Sequence, residues 1–173
     1  VGFIRKLPTD LVDSFKSTLD EVREGFSSRG VVLLHGVTSS GKTEIYMHLI
    51  AAALSCGEDV LYLVPEISVT TQLVERLRKA FGERVVPYHS KLTPARRTAA
   101  YMRLLNSSGG NLVVGARSAV FMPFSRLGLV IVDEEHDSGY KQSEPSPRYN
   151  GRDAAVMLAS IHGAKAVLGS ATP

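Results

Sequence analysis

Residues 31–49 read VVLLHGVTSSGKTEIYMHL, and this stretch decides the fold class. Its first part, residues 31–34, is a short apolar run of the kind that forms a buried β-strand. The part from Lys42 onward has the apolar spacing of a helix, and a glycine-containing turn joins the two. The same alternation of apolar runs and helical segments continues to the end of the chain, which predicts an α/β fold with a mostly parallel central sheet and helices on both faces. The predicted strands are 31–34, 60–64, 85–86, 112–114, 129–132 and 166–168, and the predicted helices are 9–26, 42–56, 69–81, 94–105 and 152–162.

The composition is that of one globular domain. The chain has 173 residues, of which 44% are hydrophobic and 21% are charged. A single cysteine, Cys56, rules out an intramolecular disulfide and a zinc site built from several cysteines, so we expect a reducing, cytoplasmic setting and no zinc. No apolar run is long enough to span a bilayer and no signal-peptide pattern is found, so no membrane partner is expected.

An octet with the pattern G-x-x-x-x-G-K-[ST] follows the first predicted strand and begins a helix. Glycines let such a loop wrap closely around a phosphate, while backbone N–H groups and the helix N-terminus supply positive potential. Lys42 is expected to bind the β- and γ-phosphates, and the Thr43 hydroxyl is expected to ligate Mg²⁺. The alternative is a glycine-rich turn without a ligand. The predicted nucleotide-binding residues are Gly36, Val37, Thr38, Ser39, Ser40, Gly41, Lys42, Thr43 and Glu44.

An acidic cluster, Asp133-Glu134-Glu135-His136, follows the predicted strand 129–132. A carboxylate at the carboxyl end of a buried parallel strand lies where such sheets bind ligands. We expect Asp133 to hold the magnesium through water and Glu134 to orient and deprotonate an attacking water. The second carboxylate indicates hydrolysis more than a phosphate-binding switch, although an acidic cluster can also be a solvated loop.

The charge is unevenly distributed, although the net charge of +3 is too small to indicate nucleic acid by itself. Between residues 76 and 103 eight basic residues accompany one acidic residue, Glu83. Such a stretch is either a solvated helix face or part of a surface for an anionic partner.

Six stretches resemble superfamily 2 helicases and, more narrowly, the primosomal helicases that restart bacterial replication. They are LLHGVTSSGKTEIY from residue 33, LVPEIS from 63, YHSKL from 88, GARSAVFMPF from 115, VDEEHDSGYKQ from 132 and LGSATP from 168. The resemblance implies that residues 29–173 are the first of two RecA-like motor lobes and that residues 1–28 are a helical lead-in. It also implies ATP-driven 3′-to-5′ DNA unwinding, with ATP and Mg²⁺ as cofactors.

Further expectations come from the same resemblance. The partners are single-stranded or forked DNA and the primosome and replication-restart proteins, in a bacterial, nucleoid-associated cytoplasm. His136, Ser170 and Thr172 would couple the nucleotide site to DNA movement. The strand of the last motif would lie between the phosphate-loop strand and the acidic one. Since the second lobe supplies an arginine to the γ-phosphate in such motors, the lobe alone is expected to be nearly inactive.

The resemblance also places Pro65, Glu66, Arg117, Tyr140 and Lys141 at the DNA surface. Tyr140 could stack on a base, and Lys141 or Arg117 could pair with phosphate. The alternative is that Tyr140 packs on the domain and that Arg117 closes a structural salt bridge.

One position departs from the helicase pattern. The glutamine that reads adenine in many of these helicases aligns with Phe15, which could stack on a base edge or be buried in the core. Other classes remain open: a nucleotide-gated docking module, or a P-loop ATPase that does not act on DNA. Coupling between nucleotide affinity and DNA affinity discriminates these from a helicase lobe.

Overall fold

The computed structural model of the chain describes residues 9–36 and 41–171. The helices within them are α1 (Thr9–Arg29), α2 (Lys42–Ser55), α3 (Thr71–Phe81), α4 (Pro94–Leu105) and α5 (Gly151–His162). The strands are β1 (Val31–His35), β2 (Asp59–Leu63), β3 (Val85–Tyr88), β4 (Leu112–Gly115), β5 (Leu127–Val132) and β6 (Lys165–Ser170). None of the described helices has the length and apolar character needed to cross a bilayer.

Side-chain caps account for where three of the helices begin. The Thr70 hydroxyl accepts a hydrogen bond from the backbone of α3, so the helix begins at Thr71 and not at residue 69 as predicted. Thr93 caps α4 in the same way, and Pro94 follows it in the first turn, where a missing N–H has no cost. Asn150 accepts two backbone hydrogen bonds at the start of α5.

The six strands form one sheet in the order β1-β6-β5-β2-β4-β3, and every pairing between neighbours is parallel. This confirms the predicted parallel sheet and the expectation that β6 lies between β1 and β5. Because parallel strands end at the same edge, the residues that follow β1, β6 and β5 meet there.

Alternate residues of the central strands face two separate hydrophobic cores. On β2, Val60 and Tyr62 belong to the first core, whereas Leu61 and Leu63 belong to the second. Helices α1, α2 and α3 contribute to the first core, and α4 and α5 contribute to the second. Burial on both faces explains why these strands are apolar at nearly every position.

The edge strand β1 is an exception to this burial. Leu33 is 61% exposed and Val31 is 37% exposed, although Leu34 is buried. In the described residues α1 packs on one side of β1 through the first core, and no comparable cover lies over Leu33. In the residues that the structure describes, the helices on the two faces therefore cover the central strands more completely than this edge strand.

Candidate nucleotide site and adjoining cleft

The octet links the end of β1 to the start of α2. Gly41 has φ of 87°, a left-handed conformation that glycine adopts without cost, and α2 begins at the next residue. The backbone N–H groups of Glu44 and Ile45 donate to the Gly41 carbonyl, at 3.0 and 3.2 Å, and close the first turn of α2. The N-terminus of a helix carries a positive potential that favours an anion. Val37, Thr38, Ser39 and Ser40 lie outside the described residues, and their role as phosphate ligands stays a prediction.

Lys42 lies between the start of the octet and the end of β6. Its ammonium group donates to the carbonyl of Gly36 and, at 3.3 Å, to the carbonyl of Ser170. The backbone N–H of Gly36 also donates to the Ser170 carbonyl, at 3.0 Å. The last strand is therefore tied to the octet by both backbone and side chain.

Glu44, in the first turn of α2, pairs with a residue of the neighbouring helix α3. Its carboxylate forms a 2.6 Å ion pair with Arg76 of α3, and both side chains are about half exposed. The pair connects α2 to α3 at the surface. A contribution of Glu44 to nucleotide binding stays a prediction, as does that of the neighbouring Thr43.

Four hydrogen bonds hold Asp133 at the end of β5. Its backbone N–H donates to the Leu63 carbonyl at 2.9 Å, and its own carbonyl accepts from the Tyr140 hydroxyl at 2.6 Å. Its Oδ1 atom accepts from the Tyr46 hydroxyl at 3.0 Å and from the Glu134 N–H at 3.1 Å. Burial, followed by the charge of Asp133, raises the pKa of Tyr46 far above its usual value, so Tyr46 is the donor.

The rest of the acidic motif connects β5 to β6 and to α5. Glu134 has φ of 48°, a left-handed conformation that a residue with a side chain adopts at a cost of about 1–2 kcal/mol. Glu135 donates its N–H to the Gly169 carbonyl at 2.8 Å and pairs with Arg152 of α5 at 2.8 Å. Hydrogen bonding to Glu135 is the main cause that raises the pKa of Arg152.

His136 and Ser170, two of the expected coupling residues, are in contact. The His136 Nδ1 atom lies 3.3 Å from the Ser170 Oγ atom, and Ser170 is buried. Thr172, the third expected coupling residue, lies outside the described residues.

A cleft of about 400 Å³ adjoins this site at the ends of β2 and β4. It brings together four of the five residues expected to face DNA: Pro65, Glu66, Arg117 and Tyr140. The structure adds Ser90 and Tyr149, to which no role was assigned from the sequence, and Arg97, which was considered only as part of the basic stretch 76–103. Ser90 belongs to the quoted stretch YHSKL, so this motif is the sequence feature that could have indicated Ser90 as a site residue.

The structure corrects the expectation that Tyr140 stacks on a base of DNA. The residue is 1% exposed and its ring is part of the second core, so neither ring face is free to stack on a base. Burial raises its pKa, and its hydroxyl bonds to the Asp133 carbonyl. The alternative, that Tyr140 packs on the domain, describes this structure.

Arg117 holds the loop that contains Tyr140. Its Nη1 atom donates to the carbonyls of Gly139 and Lys141, both at 3.2 Å, and its guanidinium lies 5.8 Å from the centre of the Tyr149 ring. Among the described residues no carboxylate pairs with Arg117, so the alternative of a structural salt bridge is not found there, and Arg117 instead binds backbone carbonyls. The Lys141 side chain is exposed.

Phe15 and Glu66 both contact other residues of the domain. Phe15 is half-buried against the first core and makes an edge contact with His48, with ring centres 5.0 Å apart. Glu66 accepts hydrogen bonds from the backbone and hydroxyl of Ser90.

A parallel sheet with a phosphate-loop octet after β1 and an acidic motif after β5, at the same edge and with β6 between them, defines a P-loop nucleotide-binding lobe of the RecA type. A family model described as DEAD/DEAH box helicase matches residues 16–173, and the chain belongs to that family.

Its relatives include proteins named Replication restart protein PriA. The Bacillus subtilis protein is 44% identical over 173 residues, which covers 99% of this chain and 21% of that protein. A Helicobacter pylori protein is 50% identical over 173 residues, covering 100% of this chain and 27% of that protein. The chain therefore spans about a fifth to a quarter of the length of these relatives.

Solved structures show the same fold. The structure described as RecG bound to a three-way DNA junction matches 99% of this chain with a TM-score of 0.70 at 23% identity, and the chain covers 22% of it. The helicase domain of Pyrococcus furiosus Hef matches 96% of this chain with a TM-score of 0.58 at 19% identity, and the chain covers 35% of it. At these identities the likeness shows the fold alone.

Proposed function

We propose that this chain is the ATP-binding motor lobe of a 3′-to-5′ DNA helicase that acts in replication restart. The observation that carries the proposal is the meeting of Lys42, Asp133 and Ser170 at one edge of the sheet. Identity of 44–50% to proteins named Replication restart protein PriA supports the restart role. In this proposal residues 1–28 are the lead-in and residues 29–173 are the first motor lobe.

Each side chain has a role in ATP hydrolysis. Lys42 binds the β- and γ-phosphates, for which its position beside Gly36 is suited. Glu134 orients a water and accepts its proton. His136 and Ser170 sense the state of the site, because their contact joins the acidic motif to β6. Thr172 is proposed to extend this contact.

Thr43 and Asp133 fit a magnesium ion that accompanies the nucleotide. Both offer hard oxygen donors, and Mg²⁺ is commonly held by one or two protein oxygens together with phosphates and waters. In the described residues no group of three or more histidine, cysteine, aspartate or glutamate side chains that could hold a metal ion is found. When bound, the ion neutralises charge that develops on the phosphates.

The proposed DNA surface is the cleft beside the acidic motif. Pro65, Glu66 and Arg117 line it, and the exposed Lys141 lies on the segment after β5 whose backbone Arg117 binds. Cationic side chains here would pair with phosphates of a single strand, so binding would weaken with salt. Tyr140 would act from beneath the surface, through its bond to Asp133.

The proposed partners are single-stranded or forked DNA and the primosome and replication-restart proteins. The proposed setting is the bacterial cytoplasm near the nucleoid. We expect the lobe alone to bind Mg·ATP or Mg·ADP but to hydrolyse ATP slowly, because the arginine that a second lobe supplies contributes about 10³ to 10⁵ in rate.

The test is fluorescence anisotropy of a labelled single-stranded oligonucleotide at low salt, with and without a non-hydrolysable Mg·ATP analogue. A helicase lobe should bind with an affinity that falls with salt and changes with nucleotide, and Lys141→Ala should weaken it. Linkage requires DNA to change the affinity for nucleotide by the same factor. Tight nucleotide binding that DNA never alters would instead indicate a P-loop ATPase that does not act on DNA.

A further inference from the structure

Tyr46 is a buried side chain to which the proposed chemistry assigns no role. It is 0% exposed, lies one helical turn after Lys42 on α2, and packs edge-on against Tyr62 with ring centres 5.7 Å apart. Its hydroxyl nevertheless points out of the first core and donates to Asp133 Oδ1 at 3.0 Å. A phenylalanine would fill the same core space, so packing alone does not account for the hydroxyl.

The space around this hydrogen bond depends on Gly169 of β6. A Cβ atom at residue 169 would overlap the Tyr46 hydroxyl and would lie 2.9 Å from Asp133 Oδ1. Gly169 has ordinary strand geometry, so its backbone conformation does not require glycine. The missing side chain therefore creates the room in which the hydroxyl and the carboxylate meet.

We propose that Tyr46 is a positioning residue that, in the space left by Gly169, orients the Asp133 carboxylate toward the magnesium of a bound nucleotide. Tyr46 and the Glu134 N–H together bind Oδ1, which fixes the rotation of the carboxylate. In the part of the chain that the structure describes no hydrogen bond to Oδ2 is found, so this atom would be available to the ion or its water. Partners that orient a ligand in this way typically contribute 10- to 100-fold to metal affinity. This inference rests on the proposed function, and it adds a residue on α2 to the ion site.

The first test measures binding of N-methylanthraniloyl-ADP by anisotropy as MgCl₂ is varied, and in EDTA. We expect Tyr46→Phe to raise about tenfold the Mg²⁺ concentration that gives half of the maximal change in anisotropy. The affinity for the nucleotide in EDTA should be unchanged, because Lys42 binds phosphate without the ion. Tyr62→Phe is the matched control, since Tyr62 is 2% exposed and belongs to the same pair of rings, and among the described residues its hydroxyl makes no hydrogen bond to Asp133. A Mg²⁺ midpoint for Tyr46→Phe equal to that of Tyr62→Phe overturns the proposal.

The second test uses thermal unfolding of Gly169→Ala alone and combined with Tyr46→Phe. Removal of the hydroxyl relieves the overlap, so the fall in Tm caused by Gly169→Ala should be about 5 °C greater with Tyr46 present. If Gly169→Ala lowers Tm equally in wild-type protein and in the Tyr46→Phe variant, Gly169 does not provide the space for this hydrogen bond. That result would overturn the proposed role of Gly169. If wild-type protein binds no nucleotide, or Lys42→Ala binds as well as wild type, the proposed function itself fails, and the ion-positioning role fails with it.

Discussion

Replacing Tyr140 by phenylalanine separates a buried structural role from a role in stacking on DNA. The substitution keeps the aromatic ring and removes only the hydroxyl, which donates to the Asp133 carbonyl at 2.6 Å. Because Tyr140 is 1% exposed, water does not readily replace the lost donor. A buried acceptor left without its partner costs about 1–3 kcal/mol.

Urea denaturation measures this cost directly. With an m-value of about 2 kcal/mol per molar urea, Tyr140→Phe should lower the unfolding midpoint by about 0.5–1.5 M. Tyr101→Phe is the control, since Tyr101 is 41% exposed and its hydroxyl can be hydrated. We expect the midpoint of this control to match that of wild type.

The opposite pattern would refute the reasoning. If the ring faced DNA, Tyr140→Phe would leave the unfolding midpoint unchanged, and Tyr140→Leu would lose oligonucleotide affinity without losing stability. That combination would mean that the loop around Tyr140 adopts a different packing from the one described.

Four other substitutions test the assigned roles and the energetics. Lys42→Ala should weaken binding of N-methylanthraniloyl-ADP more than Glu134→Gln does, since Glu134 acts on water; equal losses of affinity would contradict these roles. Asp59 is buried and accepts from three backbone N–H groups and from a side-chain amide, so Asp59→Ala should cost about 3 kcal/mol in urea unfolding. Arg76→Ala should cost at most about 1 kcal/mol by the same measurement, because its pair with Glu44 is half exposed; a cost as large as that of Asp59→Ala would contradict this.

Much of the fold was predictable because local signals agree. Each predicted strand and helix is present, with ends that differ by at most a few residues. Some element boundaries differ from the predicted ones because a cap or an additional strand residue determines them. Thr70, for example, is the N-cap of α3, so this helix begins at Thr71. The exposed Leu33 was not predictable, because an apolar residue has the same sequence signal whether or not a helix covers it.

The tertiary structure alone determined which side chains meet across the sheet. Tyr46 and Asp133 are 87 positions apart, and they touch because β6 and β5 lie beside the start of α2. Arg117 lies 22 positions before Gly139 and binds its carbonyl, a contact that composition does not encode. Tyr140 points inward for the same reason, because the loop folds back onto the end of β5.

The sequence by itself determined the class of the fold and predicted the chemistry at the sheet edge. The octet and the acidic motif are contiguous, so residue type and order are enough to predict a phosphate loop and a carboxylate site. The orientation of Asp133 was decided only by the tertiary structure, because it depends on Tyr46 and on the space at Gly169. Contacts between distant residues depend on strand order and register, which a local pattern does not specify.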